Sequence, residues 1–461
     1  MKGKRFINAK LFTGLASIML VFAISACGTQ TDKPDASANT PPASAPAKET
    51  AKSAGIGEAK LPAAELLIYS KVSSITDDEF KQTMEAPIKK KYPQYKLNYL
   101  LPGKDQSIEK MVAAGTSPDI VITSFSGMNS DFIPYGLQYD LTPLIKKYNY
   151  DLNRIEPTTI SSLRDQSGKG ELYGLPKYLN GVTLFYNKAI FDKFGVKYPT
   201  DGMTWDQAIA LAKQMTRTDG GINYRGMSLF YSNMINENQL SLPFIDPTAN
   251  KAVVNVPGFQ KLFQTYKAVY DITGNKPDDT ISADKELTQF HKDKNVAMVM
   301  SPMSGYGRFV ADPTLDWDMV AAPTFADKPK VGFQANTIYY FVSNANKHAE
   351  QAFQVVTEFL TDDVQLAANK VGRPTSLANQ AIRDTLGQDD KVLKTKNFKA
   401  FFYNKFAETP KPNLKLSAKV SGNGQLGKDF AAMIHDGTDV NTMLRQSEEA
   451  INQQINAALN Q

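Results

Sequence analysis

Between Leu66 and Thr123 the chain twice leaves an apolar run of strand length, passes through a helical pattern, and returns to another such run. Leu66–Ser70 (LLIYS) reads as a buried strand. Thr76-Asp77-Asp78-Glu79 has capping-box spacing, and Phe80, Met84 and Ile88 then recur on one helix face. Pro87 is expected to kink that helix late in its course. Lys96–Leu100 alternates like a strand, Ser107–Ala114 is helical, and Gly115-Thr116-Ser117-Pro118 leads into a third strand, Asp119–Thr123. A β-α-β-α-β order this dense implies parallel strands joined by right-handed crossovers, with helices on both faces. The expected fold class is therefore α/β, doubly wound.

Later segments continue the alternation. Val182–Tyr186 reads as a strand, and Thr204 with Gln207 caps a helix carrying Ile209 and Ala212. Trp205, at the start of that helix, is read as packing. Pro257 opens a helix on which Phe259, Leu262, Phe263, Tyr266 and Tyr270 share a face. Val296–Met300 and Thr337–Phe341 are strands, Ala349–Leu360 is an amphipathic helix, and the chain from Leu426 onward reads as two helices broken near Asp436-Gly437. The 461 residues suffice for two ordinary domains. No internal repeat and no Pro/Ser-rich linker divides residues 63–461, so the chain is expected to pass between halves along strands.

The first sixty residues are of another kind. Met1–Lys10 is basic, and Leu11–Ala26 is mostly apolar with small residues at its end, the form of a secretory signal and short for a membrane span. Ile24-Ser25-Ala26-Cys27 resembles the lipobox of bacterial lipoproteins, in which cleavage precedes a cysteine that receives diacylglycerol; Cys27 is the lone cysteine of the chain. In residues 28–62, Ala, Ser, Thr and Pro supply 20 of 35 residues and no aromatic occurs. Such a segment buries too little apolar area to offset chain entropy and reads as a disordered tether. The net charge of +5 includes Lys2, Lys4, Arg5 and Lys10 of the leader; without them it is +1, which leaves no electrostatic basis for nucleic-acid binding.

Little points to chemistry. With one cysteine there is no internal disulfide, and three histidines, His291, His348 and His435, are scattered and read as surface residues, so neither a metal nor a cofactor is expected. Residues 422–427 (GNGQLG) match G-x-G-x-x-G, but too few residues follow for a dinucleotide-binding βαβ unit, and a glycine-rich turn is the expectation. No nucleophile elbow, zinc-helix, Walker or EF-hand motif is present.

Seven segments together resemble extracellular solute-binding proteins of ABC importers, in the group that includes maltodextrin- and oligosaccharide-binding lipoproteins. They are Ser117-Pro118-Asp119-Ile120-Val121; Tyr173-Gly174-Leu175-Pro176; Leu184-Phe185-Tyr186-Asn187-Lys188; Thr204-Trp205-Asp206; Val296-Ala297-Met298-Val299-Met300; Ala321-Ala322-Pro323; and Ala349–Leu360 followed by Gly372-Arg373-Pro374. One departure is the tryptophan that often follows the Ala-Met strand; here the stretch reads Ser301-Pro302-Met303-Ser304-Gly305-Tyr306. The resemblance implies a periplasmic-binding-protein-like fold, with two doubly wound lobes joined by crossing strands, hinged around a ligand cleft. Residues 1–26 would be the signal and 27–62 the lipidated cysteine and tether. One lobe would take 63–178 with 332–378, and the other 179–331 with 379–461.

Doubly wound sheets bind ligands beyond the carboxyl ends of their strands. That rule and the resemblance together nominate Tyr69, Ser70 and Lys71, then Ser124, Phe125 and Ser126, from the first lobe. Tyr231, Asn233, Ser304 and Tyr306 would face them from the second, with Tyr178, Asn180, Phe333 and Gln334 at the crossings and Arg373 beside them. Tyr69 and Phe125 fit strand-end core as well, and Lys71 fits a solvated position. Aromatic rings beside hydroxyls and carboxamides suit the apolar faces and hydroxyl rims of sugars. The implied protein is a monomeric, non-enzymatic receptor held by lipid on Cys27 at the outer face of the cell membrane, passing a small carbohydrate to the transmembrane subunits of an ABC permease. The same sequence leaves open a surface-anchored polysaccharide hydrolase or lyase, or this fold with a non-sugar solute.

Overall fold

The structure is a computed structural model that describes residue 56 and residues 59–72, 75–103, 106–277, 281–345 and 347–460. The leader and Cys27 lie outside the described residues. The described chain falls within one unit, Ala51–Gln461, which carries two five-stranded sheets.

The first sheet is built from β1 (Ala64–Ser70), β2 (Tyr95–Leu100), β3 (Ile120–Ser124) and β4 (Gly174–Tyr178), with a late strand inserted between β3 and β4. β1 pairs in parallel with both β2 and β3, as the βαβαβ pattern requires. Ile120, Val121 and Ile122 are all buried, because helices cover both faces of this strand. The helix after β1 runs without a break through Asp77–Phe80, Lys81–Glu85 and Ala86–Lys91, and its middle segment is a π-helix. Thr76 caps it by accepting from the Glu79 N–H. The distortion expected at Pro87 is thus displaced upstream. A proline lacks the N–H for the carbonyl one turn back and its ring crowds that carbonyl, and the widened turn before it makes room.

The second sheet comprises β5 (Val182–Asn187), β6 (Arg217–Asp219), β7 (Ile222–Leu229), β8 (Val296–Pro302) and β9 (Trp317–Val320), in the order β6-β7-β8-β5-β9. Only β7 and β8 are parallel; β5 runs against both of its neighbours. Both sheets are therefore mixed: the parallel expectation holds for β1, β2 and β3, while the late strand inserted beside β3 and the strand β5 run antiparallel to their neighbours. β5 follows β4 after three residues, too few for a parallel crossover, so it enters a new sheet instead. Alternation along the strands divides two cores: Leu184, Met298 and Met300 face one, Phe185, Val299 and Trp317 the other. Helices Trp205–Met215, Pro257–Tyr270, Gly422–Asp436 and Val440–Leu459 pack on the first of these. The Thr204–Gln207 capping box forms as read, and the Trp205 indole is buried and donates to Gln239 Oε1 at 2.8 Å.

Three remaining strands lie at the junction: β10 (Val331–Gln334), β11 (Ile338–Val342) and β12 (Lys405–Ala407). β11 is the strand inserted antiparallel between β3 and β4, so the chain crosses at residues 335–337 as well as at 179–181. The crossings are tied together. The Asn336 N–H donates to the Asn180 carbonyl and the Leu179 N–H to the Pro374 carbonyl, both at 2.8 Å. β10 pairs in parallel with β12. Beyond Arg373, Leu377 and Ile382 pack in the first lobe's core, whereas Leu386 and Leu393 pack in the second's.

Two further expectations fail. Residues 422–427 form the first turns of a helix rather than a loop; Gly422 sits against Phe244, where a Cβ would come within 2.6 Å, so the glycine serves close packing. His291 is buried, its Nδ1 2.7 Å from the Leu287 carbonyl, because the π-helical turn Gln289–Asp293 faces it inward.

Candidate ligand cleft

A cavity of about 380 Å³ opens between the lobes. Its first-lobe wall is Phe125, Ser126, Asn129 and Ser130 with Gln166, its other wall Asn236, Pro243–Ile245, Thr409–Asn413 and the stretch from Ser417 to Asn423, and Gln334, Ala335 and Asn336 form its floor. A second cavity of about 480 Å³, lined by Lys71, Ser124, Asp131 and Asn180, shares Ser126, Ser130 and Asn336 with it. The two make one groove along the crossings. A larger hollow is lined by helix Ala86–Lys91 and residues 358–371, and it shares no lining residue with the groove.

The lining has a definite chemistry. Asn129, Gln166, Asn236, Gln334, Asn336, Asn413 and Asn423 offer carboxamides, each both donor and acceptor. Phe125, Pro243, Phe244, Ile245, Pro410 and Pro412 supply apolar surface between them. Charge is sparse: Lys411 stands at the rim, and Lys71 is paired with Asp131 at 3.2 Å. Among the described residues no three His, Cys, Asp or Glu side chains converge as a metal site, and no helix is long and apolar enough to cross a membrane.

Local structure places these groups. Ser124 ends β3 and caps helix Phe125–Asp131, its Oγ accepting from the Gly127 N–H at 3.1 Å and lying 3.1 Å from Ser126 Oγ. Gln166 donates to Asn129 Oδ1 at 2.9 Å. Asn180 Oδ1 accepts from the Ser304 N–H at 3.0 Å, which ties the forward crossing to the loop after β8. Gln334 donates to the Asn238 carbonyl at 2.9 Å, and Asn336 Nδ2 to Glu237 Oε1 at 2.7 Å. Glu237 is 3% exposed, and burial pushes its carboxyl up to about 7 against the two amide hydrogen bonds it accepts.

Of the nominated residues, Lys71, Ser124, Phe125, Ser126, Asn180 and Gln334 line the groove, and Ser304 adjoins it through Asn180. Asn233 turns to Glu237, donating at 2.8 Å. Tyr178, Tyr306 and Arg373 gather elsewhere. Arg373 pairs with Glu79 at 2.6 Å and lies 6.0 Å from the Tyr178 ring centroid, while the Tyr306 hydroxyl donates to the Gly372 carbonyl at 3.1 Å. Four nominees are buried off the groove. The Tyr69 hydroxyl donates to the Gln106 carbonyl, and Ser70 Oγ accepts from the Val72 N–H. Tyr231 packs on Phe430 at 5.4 Å, and Phe333 joins the second lobe's core. The reason is periodicity: along β10, alternation gives Phe333 to the core and Gln334 to the groove. Sequence reading missed Asn129, Gln166, Asn236, Asn336, Asn413 and Asn423. Only Asn336 left a signal, two residues beyond Gln334 in the crossing itself.

The sequence profile described as bacterial extracellular solute-binding protein matches residues 76–366. An ABC substrate-binding protein of Listeria monocytogenes in complex with cycloalternan superposes with a TM-score of 0.64 at 18% identity, over 85% of this chain and 99% of that one. A sugar transporter of Rhizobium etli in an open conformation gives 0.67 at 18% identity, over 84% and 99%. At these identities the likeness is one of fold. An arabinooligosaccharide-binding protein of Halalkalibacterium halodurans is 28% identical over 158 residues, 33% of this chain and 35% of that protein.

Proposed function

The chain belongs to the bacterial extracellular solute-binding proteins, and from that membership we propose that it captures a sugar or small oligosaccharide by closing its lobes over it. The observation that carries the reading is the interlobe groove, in which seven carboxamides alternate with apolar rings and prolines and unpaired charge is nearly absent. Sugar hydroxyls need partners that both give and accept hydrogen bonds, and a buried hydroxyl left unpaired costs about 1–3 kcal/mol. Their C–H faces need apolar contact, which Phe125 and Phe244 offer. Solved structures of like fold carry cycloalternan, maltotriose and tagatose, which supports the sugar class. The family binds solutes and performs no reaction on them.

Closure follows from differential affinity. A ligand touching both walls binds the closed form better, and about 5.5 kcal/mol of difference converts a mostly open population to a mostly closed one. In this reading the lobes follow the expected bounds except that Phe333 belongs with the second lobe and Ile382 with the first, where their side chains pack, and they hinge at the crossings. Lipid on Cys27 holds the monomer at the outer face of the cell membrane, and an ABC permease takes the sugar from the closed form. The test is X-ray scattering of the purified protein against a carbohydrate panel that includes maltotriose and arabino-oligosaccharides. Contraction with a matching rise in melting temperature is expected; a panel in which nothing contracts the protein refutes the sugar assignment.

A further inference from the structure

Beneath the groove floor lies a buried carboxylate with no cation paired to it among the described residues. Glu237 follows helix Tyr231–Asn236; its Oε1 accepts from Nδ2 of Asn233 at 2.8 Å and of Asn336 at 2.7 Å. Its Oε2 is buried without a hydrogen-bond partner. Its carbonyl accepts from the Gln334 N–H at 2.9 Å, so Glu237 grips the return crossing at two points. Asn336 in turn donates from its backbone to Asn180, and Asn180 accepts from Ser304. A polar rail thus runs from a second-lobe helix through both crossings to the loop after β8, and Asn336 lines both halves of the groove.

A carboxamide turned over about its last bond keeps its shape but exchanges a donor for an acceptor. An ionised carboxylate only accepts, so only Nδ2 of Asn336 can face it. We propose that Glu237 is the specificity-determining positioning residue of the groove: by fixing Nδ2 of Asn336 beneath the floor, it presents the Asn336 amide oxygen to a hydroxyl of the bound sugar. This rests on the sugar reading of the groove. Protonated, Glu237 gains an O–H that can donate to the Asn336 amide oxygen, and the amide then turns its N–H toward the ligand. The groups facing Glu237 are uncharged: Asn233 from its own helix, and Gln334 and Asn336 from the crossing. The titratable groups of the groove, Lys411 and the Lys71–Asp131 pair, stand on its other walls. With burial raising the carboxyl to about 7, the exchange falls at neutral pH. Ligand binding should then strengthen as pH rises and Glu237 ionises.

The test has a ligand-free arm and a ligand arm, both on the full chain. By NMR of protein carrying [15N]Asn and [13C]Glu, the Asn336 side-chain amide is expected to shift with the same near-neutral midpoint as the Glu237 carboxyl, and Glu237→Gln is expected to abolish that shift. With maltotriose as probe, affinity is expected to fall about tenfold from pH 8 to pH 6 in the wild type and to stay level in the isosteric Glu237→Gln protein. An Asn336 amide indifferent to pH, a level wild-type affinity, or an unchanged slope in Glu237→Gln overturns the proposal. If maltotriose fails to bind at any pH, the sugar reading suffers and the ligand-free arm alone decides the role of Glu237.

Discussion

Lys177 on β4 is 7% exposed, its ammonium 4.8 Å from the Tyr178 ring centroid and 5.9 Å from that of Tyr340. Burial pushes it down to about 8, with Glu79 opposing and Arg373 reinforcing the shift. The folded chain therefore releases this proton before the unfolded chain does. The resulting cost to stability is full below pH 8 and disappears as pH rises to 10.5. A shift of this size corresponds to about 3 kcal/mol, from which two cation–π contacts of about 1 kcal/mol are subtracted. Lys177→Met is accordingly expected to stabilise the protein by about 1–2 kcal/mol at pH 7 in urea unfolding; a gain undiminished at pH 10.5 would contradict burial as its cause. Glu237 has the opposite pH sense. Its raised carboxyl costs nothing below pH 4.5 and its full penalty above about 7. Glu237→Gln should add on the order of 3 kcal/mol at pH 8 and nothing at pH 4.5, measured in the same way. Neither burial could be read from sequence, where Lys177 and Glu237 look like any surface charge.

At the scale of elements, patterns confined to one segment were legible and those set by a neighbour were not. Strands β1, β3, β5 and β8 stand where their apolar runs lie, and the Thr204 cap, the Pro257 start and the Gly437 stop fall at the expected residues. The glycines of residues 422–427 misled, since the same residue type permits a turn or a close helix contact. Gly226 makes the point testable. It lies on β7 directly under helix Trp205–Met215, and a Cβ there would overlap the Ala212 carbonyl. Backbone cannot yield as a side chain would, so Gly226→Ala is expected to cost about 3 kcal/mol in urea unfolding, by prying the helix from the sheet. A cost below about 0.5 kcal/mol, the range of neutral surface changes, would show that helix and sheet are not pressed together.

Across the whole molecule, two sheets with separate cores are joined by short crossings, and a ligand in the groove touches both sides. Sugar at one hundred times its Kd is expected to stabilise the folded state by about 2.7 kcal/mol. Because it bridges, calorimetry should show both lobes gaining and their unfolding drawn into one transition; a gain confined to one lobe would place the ligand outside the groove. The alternation of strand and helix fixed the α/β class, because local periodicity and turn chemistry act over a few residues; the two-lobed arrangement was implied by the resemblance of seven segments to a known family. Which way each strand runs, which carboxamides meet at the groove, and that Glu237 lies buried beneath it against the Asn233 and Asn336 amides were decided by tertiary packing. Asn129, Asn236, Asn336 and Asn423 are far apart along the chain and unremarkable one by one, and only the approach of the two lobes brings their amides to one groove.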